Sequence, residues 1–173
     1  MPFQPYPSSG DQVTPQLSGG PAPQSVQNAV KVMYAGAVLS VLGIIATAVT
    51  AHNVKPYIEK HIKTINGKPI TATQVDSLAH FEIGLGIAGG VIGLVLWLWM
   101  ARKNGQGRPW ARIVSSVLFV LSTLDLLNIF RGGGPSAFTI VTALLTWLAG
   151  LTAVILLWLP SSSPYFISQR HVK

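Results

Sequence analysis

Cysteine is absent from the chain, and acidic side chains are scarce. Without cysteine there are no disulfides and no thiolate metal centres, and the redox state of the compartment leaves no trace in the sequence. Charged residues of both signs make up only 10% of the 173 positions, where a soluble domain carries about a quarter. That deficit points to lipid rather than water as the main solvent. The 12 Lys and Arg outnumber the 5 Asp and Glu, giving a formal charge of +7. In a soluble chain this excess would raise the question of nucleic acid. Here it is better explained by basic residues collecting in cytoplasmic loops, and no nucleic-acid partner is expected.

Several catalytic signatures are missing as well. There is no glycine-rich phosphate loop opening on a lysine, no nucleophile elbow and no zinc-protease helix motif. Gly132-Gly133-Gly134-Pro135 is a tight turn, not a phosphate cradle. His52, Glu59, His61 and His80 match no metal-ligand spacing and are expected in a solvated loop. The sequence therefore supports neither an enzyme activity, nor a metal, nor a cofactor.

What the chain does have is long apolar runs. Crossing a hydrocarbon core about 30 Å thick takes about 20 apolar residues in a helix. Val32–Ala51, Ile83–Ala101 and Ala137–Leu159 contain no charge, and Ile113–Phe130 contains one, Asp125. These runs are apolar on every side, whereas a soluble core helix shows a polar stripe. They are also unbroken, unlike the alternating strands of a membrane barrel. The expected fold is an all-α membrane protein, a bundle of four transmembrane helices with spans near 32–51, 81–101, 111–130 and 137–159. The first span starts after thirty mostly polar residues and is longer than a signal peptide's apolar run. It reads as a retained span, with cleavage near the small residues Ala46–Ala51 as the alternative.

Orientation follows from the loops. The short 101–112 loop holds Arg102, Lys103, Arg108 and Arg112 and no acid. By the positive-inside rule it is cytoplasmic, and so are both termini. Seven basic residues then lie inside (these four with Lys31, Arg170 and Lys173) and five outside (Lys55, Lys60, Lys63, Lys68 and Arg131). Tyr34, Trp97, Trp99, Trp110 and Trp158 fall at the same proposed boundary, where amphipathic rings favour the headgroup level. Trp147 lies near mid-span, in a packing position.

The remaining segments are polar. Six of the 12 prolines lie between Pro2 and Pro23, among Ser, Gly and Gln. Residues 1–30 are expected to be a disordered cytoplasmic tail, since little apolar surface is available to offset ordering. Its start, Pro2 to Pro7, also suits polyproline II docking. The outer loop 52–79 is expected to hold a short amphipathic helix from Pro56, with Ile58, Ile62 and Ile65 on one face against the membrane surface. An Asn66-Gly67 turn follows, and Thr71 or Thr73 caps the next helix. A small Asn-Gly hairpin is the alternative. Pro160 stops the last span, and 161–173 is a short basic tail.

Two kinds of residue within the spans stand out. Gly36 and Gly43 in span one, and Gly86, Gly89, Gly90 and Gly93 in span two, recur at small-x3-small spacing. This lets backbones approach, either within the bundle or across a dimer. Glu82 lies just inside the outer end of span two, and Asp125 sits roughly 6–9 Å inside span three. Ser122 and Asn128 share a helix face with Asp125, and Arg131 follows at the outer end. Glu82, Asp125, Asn128 and Arg131 thus form a candidate intramembrane polar site, able to relay protons or bind a small cation or headgroup. A plain buried hydrogen-bond cluster, or an acid reaching the interface, is the structural alternative.

The segment Trp99–Arg112 resembles the basic inner loop of small four-helix membrane proteins common in actinobacteria. Those proteins also start with a Pro-rich tail containing Gln and Gly, as residues 1–25 do here. The likeness is most specific at Gly107–Arg112 with Leu118-Phe119. It implies a plasma-membrane protein and transfers no functional residue. The role expected is an accessory or scaffold subunit meeting lipid and other membrane-complex subunits, or a homodimer. The alternative is a small oligomeric transporter or channel using Glu82 and Asp125.

Overall fold

A computed structural model describes residues 21–131 and 137–168, with the side chains of residues 128–131, 137 and 139 outside the description. The Pro-rich segment 1–20, residues 132–136 with the turn expected there, and Arg170 and Lys173 lie outside it too. The described elements are α1 (Gln24–Thr50), a 3-10 turn (Ala51–Asn53), α2 (Val54–His61), β1 (Thr64–Ile65), β2 (Lys68–Pro69), α3 (Ala72–Gly105), α4 (Pro109–Arg131), α5 (Ala137–Trp158) and α6 (Ser163–Ser168). Four helices are long and apolar enough to cross a membrane.

The four long helices form a bundle in which α1 is central. It packs most extensively on α3, then on α5, while α4 rests mainly on α5. The α3–α4 seam is the loosest of these contacts. Large apolar side chains stay exposed along all four, among them Leu42, Val49, Ile92, Val95, Val120, Leu124, Leu145 and Ile155. A water-soluble monomer rarely shows so continuous an apolar surface. In lipid, as apolar as these side chains, close packing rather than hydrophobic burial would hold the interior.

Glycine provides that closeness at the α1–α3 contact. The Trp97 ring lies against Gly36, where a Cβ would fall 2.6 Å from its Cε2. A Cβ on Gly90 would run into Ile44 Cγ1, and one on Gly86 would come within 3.1 Å of Thr47 Cγ2. Gly43 and Gly89 face open space. Trp97 is partly buried between helices, because Gly36 leaves room for its ring.

The buried clusters sit at the two ends. At one end Ile58 of α2 is buried against Val75 and Ala79 of α3, with Val54 and Ile62 beside it. The apolar face of α2 is therefore turned onto α3 and not onto a membrane surface. The helix stops at His61, short of Ile65, because the Asn66-Gly67 turn takes over. Both turn residues have positive φ, 53° and 75°, the geometry that two-residue hairpins require. Helix and hairpin thus occur together. A capping box then starts α3: the Gln74 amide donates to Thr71 Oγ1 at 3.3 Å, and the Thr71 amide donates to Gln74 Oε1 at 3.0 Å.

At the other end Val26, Ala29, Met33, Met100, Ala101, Ala153, Leu157 and Phe166 pack together. Helix α1 begins at Gln24, so residues 24–30, assigned to the tail from sequence, belong to it. Val26, Ala29 and Met33 recur on one helical face, and their burial explains the earlier start. Helix α3 runs on to Gly105 and turns at Gly107, whose φ of 67° suits glycine. Pro109 is the first residue of α4, where a missing N–H costs nothing.

Candidate functional site

The polar groups that the structure gathers lie at the end where the 101–112 loop, the start of α1 and α6 meet. Ser161 donates to Ser25 Oγ at 3.1 Å, Ser25 and Ser162 share a bond of 2.7 Å, and Ser162 donates to the Leu156 carbonyl at 2.7 Å. This hydroxyl chain ties the first turn of α1 to the exit of α5. The Tyr165 hydroxyl donates to the Gly105 carbonyl at 2.7 Å, and burial pushes its pKa above the usual 10.0. Residues 161–168, expected to trail as a tail, are thus folded back onto the bundle, with Phe166 as the buried anchor.

Asn104 is fully buried at this end. Its Nδ2 donates to the Met100 carbonyl at 3.0 Å and to Ser115 Oγ of α4 at 2.9 Å, and it lies 3.9 Å from Met33 Sδ. Its Oδ1 has no partner among the described residues. Next to this group is a cavity of about 190 Å³ shared by the four long helices. Met33, Gly93, Trp97 and Met100 line one side, and Leu118, Phe119, Gly150 and Val154 the other. Ser115, Ser122 and Thr146 are its hydroxyls.

Arg112 sits at the junction of α4, α5 and α6. Its guanidinium carbon lies 4.1 Å from the Trp158 ring centre and 5.2 Å from that of Phe166. One N–H reaches Ser163 Oγ at 3.4 Å, and its buried Nε has no partner among the described residues. The Trp158 indole N–H donates to Ser116 Oγ at 2.9 Å, and the Ser116 hydroxyl donates to the Arg112 carbonyl at 3.0 Å. Arg102 is exposed at the end of α3, with Lys103 and Arg108 half-buried nearby in sequence. Trp99 and Trp110 meet at a ring separation of 5.5 Å.

The acids singled out from sequence are placed differently. Glu82 and Asp125 are both exposed on the outside of their helices. Neither makes a hydrogen bond or ion pair with a described residue, and none joins them. Asn128 and Arg131 fall in the last turns of α4, and their side chains lie outside the description. Ser122 bonds back to the Phe119 carbonyl, not to Asp125. Among the described residues, no three His, Asp or Glu side chains converge to hold a metal.

Sequence reasoning passed over Asn104, Ser115, Ser25 and Ser162. The available signal was positional: Asn104 lies four residues after Met100 and seven after Trp97, on the packed stripe of α3. The chemistry at this end is hydrogen-bond donation and positive charge. Fold and site together define a helical bundle with four helices able to span a membrane and a polar, basic, closed end. Beyond that class, no family matches the chain, and no curated protein or solved structure matches it.

Proposed function

We propose that the chain is a multi-pass plasma-membrane protein that serves as an accessory or scaffold subunit of a membrane complex. Both termini and the 101–112 loop face the cytoplasm, and the loop resembles the basic inner loop of small four-helix actinobacterial membrane proteins. The basic loop and the aromatic residues near it support that orientation. The bilayer and a partner helix are its main contacts.

The observation that carries this reading is the outward carboxylate of Asp125. It is exposed on α4 among Val117, Val120, Leu121 and Leu124, all exposed too. It lies six residues, or about 9 Å, before the last residue of α4. An ionisable group at such a depth normally finds a partner, and the described bundle offers none. A hydrogen-bond donor on a neighbouring membrane helix would satisfy it.

The test is purification of the tagged full-length protein in a mild detergent, with photocrosslinking from positions 121 and 124. A crosslinked partner lost in the Asp125→Leu variant supports the assignment. A monomer that crosslinks only to lipid removes it. A second reading, a small oligomeric transporter or channel, draws on the cavity beside the loose α3–α4 seam. It requires a homodimer and proton-dependent flux lost in Asp125→Asn or Glu82→Gln.

A further inference from the structure

The basic end of the bundle contains a half-buried cation with no anion among the described residues. Of the five acidic side chains, Glu59, Asp76, Glu82 and Asp125 belong to the other half of the bundle, and Asp11 lies outside the described residues. Arg112 therefore has no described carboxylate to pair with. Its only described side-chain hydrogen bond is the long one to Ser163 Oγ, 3.4 Å. A guanidinium has five N–H donors in a rigid fork, and most of them have no described partner.

The group is nevertheless held in place. Trp158 and Phe166 wall it at 4.1 and 5.2 Å. The Trp158 ring is itself pinned to α4 through Ser116, one turn from Arg112. Phe166 is 1% exposed and does not move without unpacking the end of the bundle. A cation fixed before its anion arrives loses little freedom on binding. Lys31, Arg102, Lys103 and Arg108 share this end and raise its potential for anions. Trp158 is 51% exposed at the end of a span, where a ring meets headgroups.

We propose that Arg112, with the Ser163 hydroxyl beside it, seats the phosphate of an anionic lipid headgroup. The guanidinium fork matches phosphate oxygens and supplies charge-assisted hydrogen bonds. Trp158 packs along the glycerol region. The headgroup thereby becomes the counter-ion that the described residues do not supply and ties α4, α5 and α6 to one leaflet. This goes beyond the subunit role, and none of the readouts below involves a partner protein.

The full-length protein in a mild nonionic detergent is titrated with phosphatidylglycerol, with phosphatidylcholine of the same chain length, and with inorganic phosphate. Lipid retention is followed by native mass spectrometry and stability by thermal unfolding. One phosphatidylglycerol is retained and raises Tm, as a ligand specific to the folded state does. Phosphatidylcholine binds about tenfold more weakly, and Arg112→Gln weakens phosphatidylglycerol by about tenfold. Lys60→Gln, in α2 at the opposite end of the bundle, stays within about twofold of wild type. If Arg112→Gln does not fold, Arg112→Lys and Ser163→Ala take its place, each expected to weaken phosphatidylglycerol by about threefold. Equal retention of both lipids overturns the proposal, as does unchanged phosphatidylglycerol affinity in a folded Arg112 variant. Stabilisation by inorganic phosphate alone, with no added effect of the lipid, overturns it as well by assigning a soluble anion.

Discussion

The side-chain amide of Asn104 reaches the Ser115 hydroxyl at 2.9 Å and joins α3 to α4 across a seam looser than α1–α3, α1–α5 or α4–α5. Both residues are buried, so water does not compete for the bond. Interhelical hydrogen bonds in membrane proteins average about 0.6 kcal/mol and reach about 1.7. A double-mutant cycle of Asn104→Ala and Ser115→Ala, followed by unfolding in mixed detergent, is expected to give a coupling in the upper part of that range. A coupling indistinguishable from zero would mean that the seam closes without this bond.

Gly36 and Gly89 should respond oppositely to alanine. At Gly36 the new methyl meets the Trp97 ring, and at Gly90 it meets Ile44 close to the backbone. Neither obstacle is the tip of a flexible chain, so overpacking of about 1–3 kcal/mol is expected. At Gly89 nothing lies within 4 Å, and alanine gains helix propensity of about 0.8–1.0 kcal/mol. Thermal unfolding of the purified protein should therefore rank Gly89→Ala at or above wild type, with Gly36→Ala and Gly90→Ala below it. The reverse ranking would contradict the α1–α3 contact described above.

How far the sequence reveals this arrangement depends on the range of the interaction involved. Thr71 and Gln74, Asn66-Gly67 and Pro109 act within a few residues of themselves, and each marks its cap, turn or helix start directly. The four apolar runs likewise need no partner to be recognised. Asn104 is different. It follows two basic residues and reads as loop, and only the packing of α3 against α1 and α4 makes it interior. Helix α6 is concealed for a similar reason: Ser163-Pro164 reads as an exit, while the anchoring of Phe166 depends on residues far away in sequence. The grouping of Glu82 with Asp125 assumed that two helices turn the same faces inward, which helix periodicity alone does not determine.

Lys55 Nζ pairs with Asp76 Oδ1 at 2.6 Å and links α2 to the first turns of α3. The hydrogen bond and charge of Lys55 hold the Asp76 carboxyl below its ordinary 3.8, with His80 adding a smaller effect in the same direction. The sign is that of a depressed acid. Its contribution is present above the unfolded value and disappears as pH falls through the folded one. Both side chains are about half exposed, so the effect on stability is small and weakens in salt. Carboxyl NMR titration should show Asp76 rising toward its ordinary value in Lys55→Ala, and in wild type at high salt. An unchanged titration in Lys55→Ala would show that the pair does not persist in solution.

Asp125 tests whether the bundle is complete alone. If its carboxylate meets only lipid or detergent, Asp125→Leu removes a poorly solvated group and should leave Tm of the isolated protein unchanged or higher. Within an assembled complex the same substitution deletes one side of an interhelical bond, leaving the partner's donor unsatisfied at a cost of about 1–3 kcal/mol. The two environments therefore predict opposite signs for a single variant. Thermal unfolding of the free protein, set beside the yield of the co-purified assembly, reads both. A large loss of Tm in the free protein would instead place Asp125 in a contact inside its own chain.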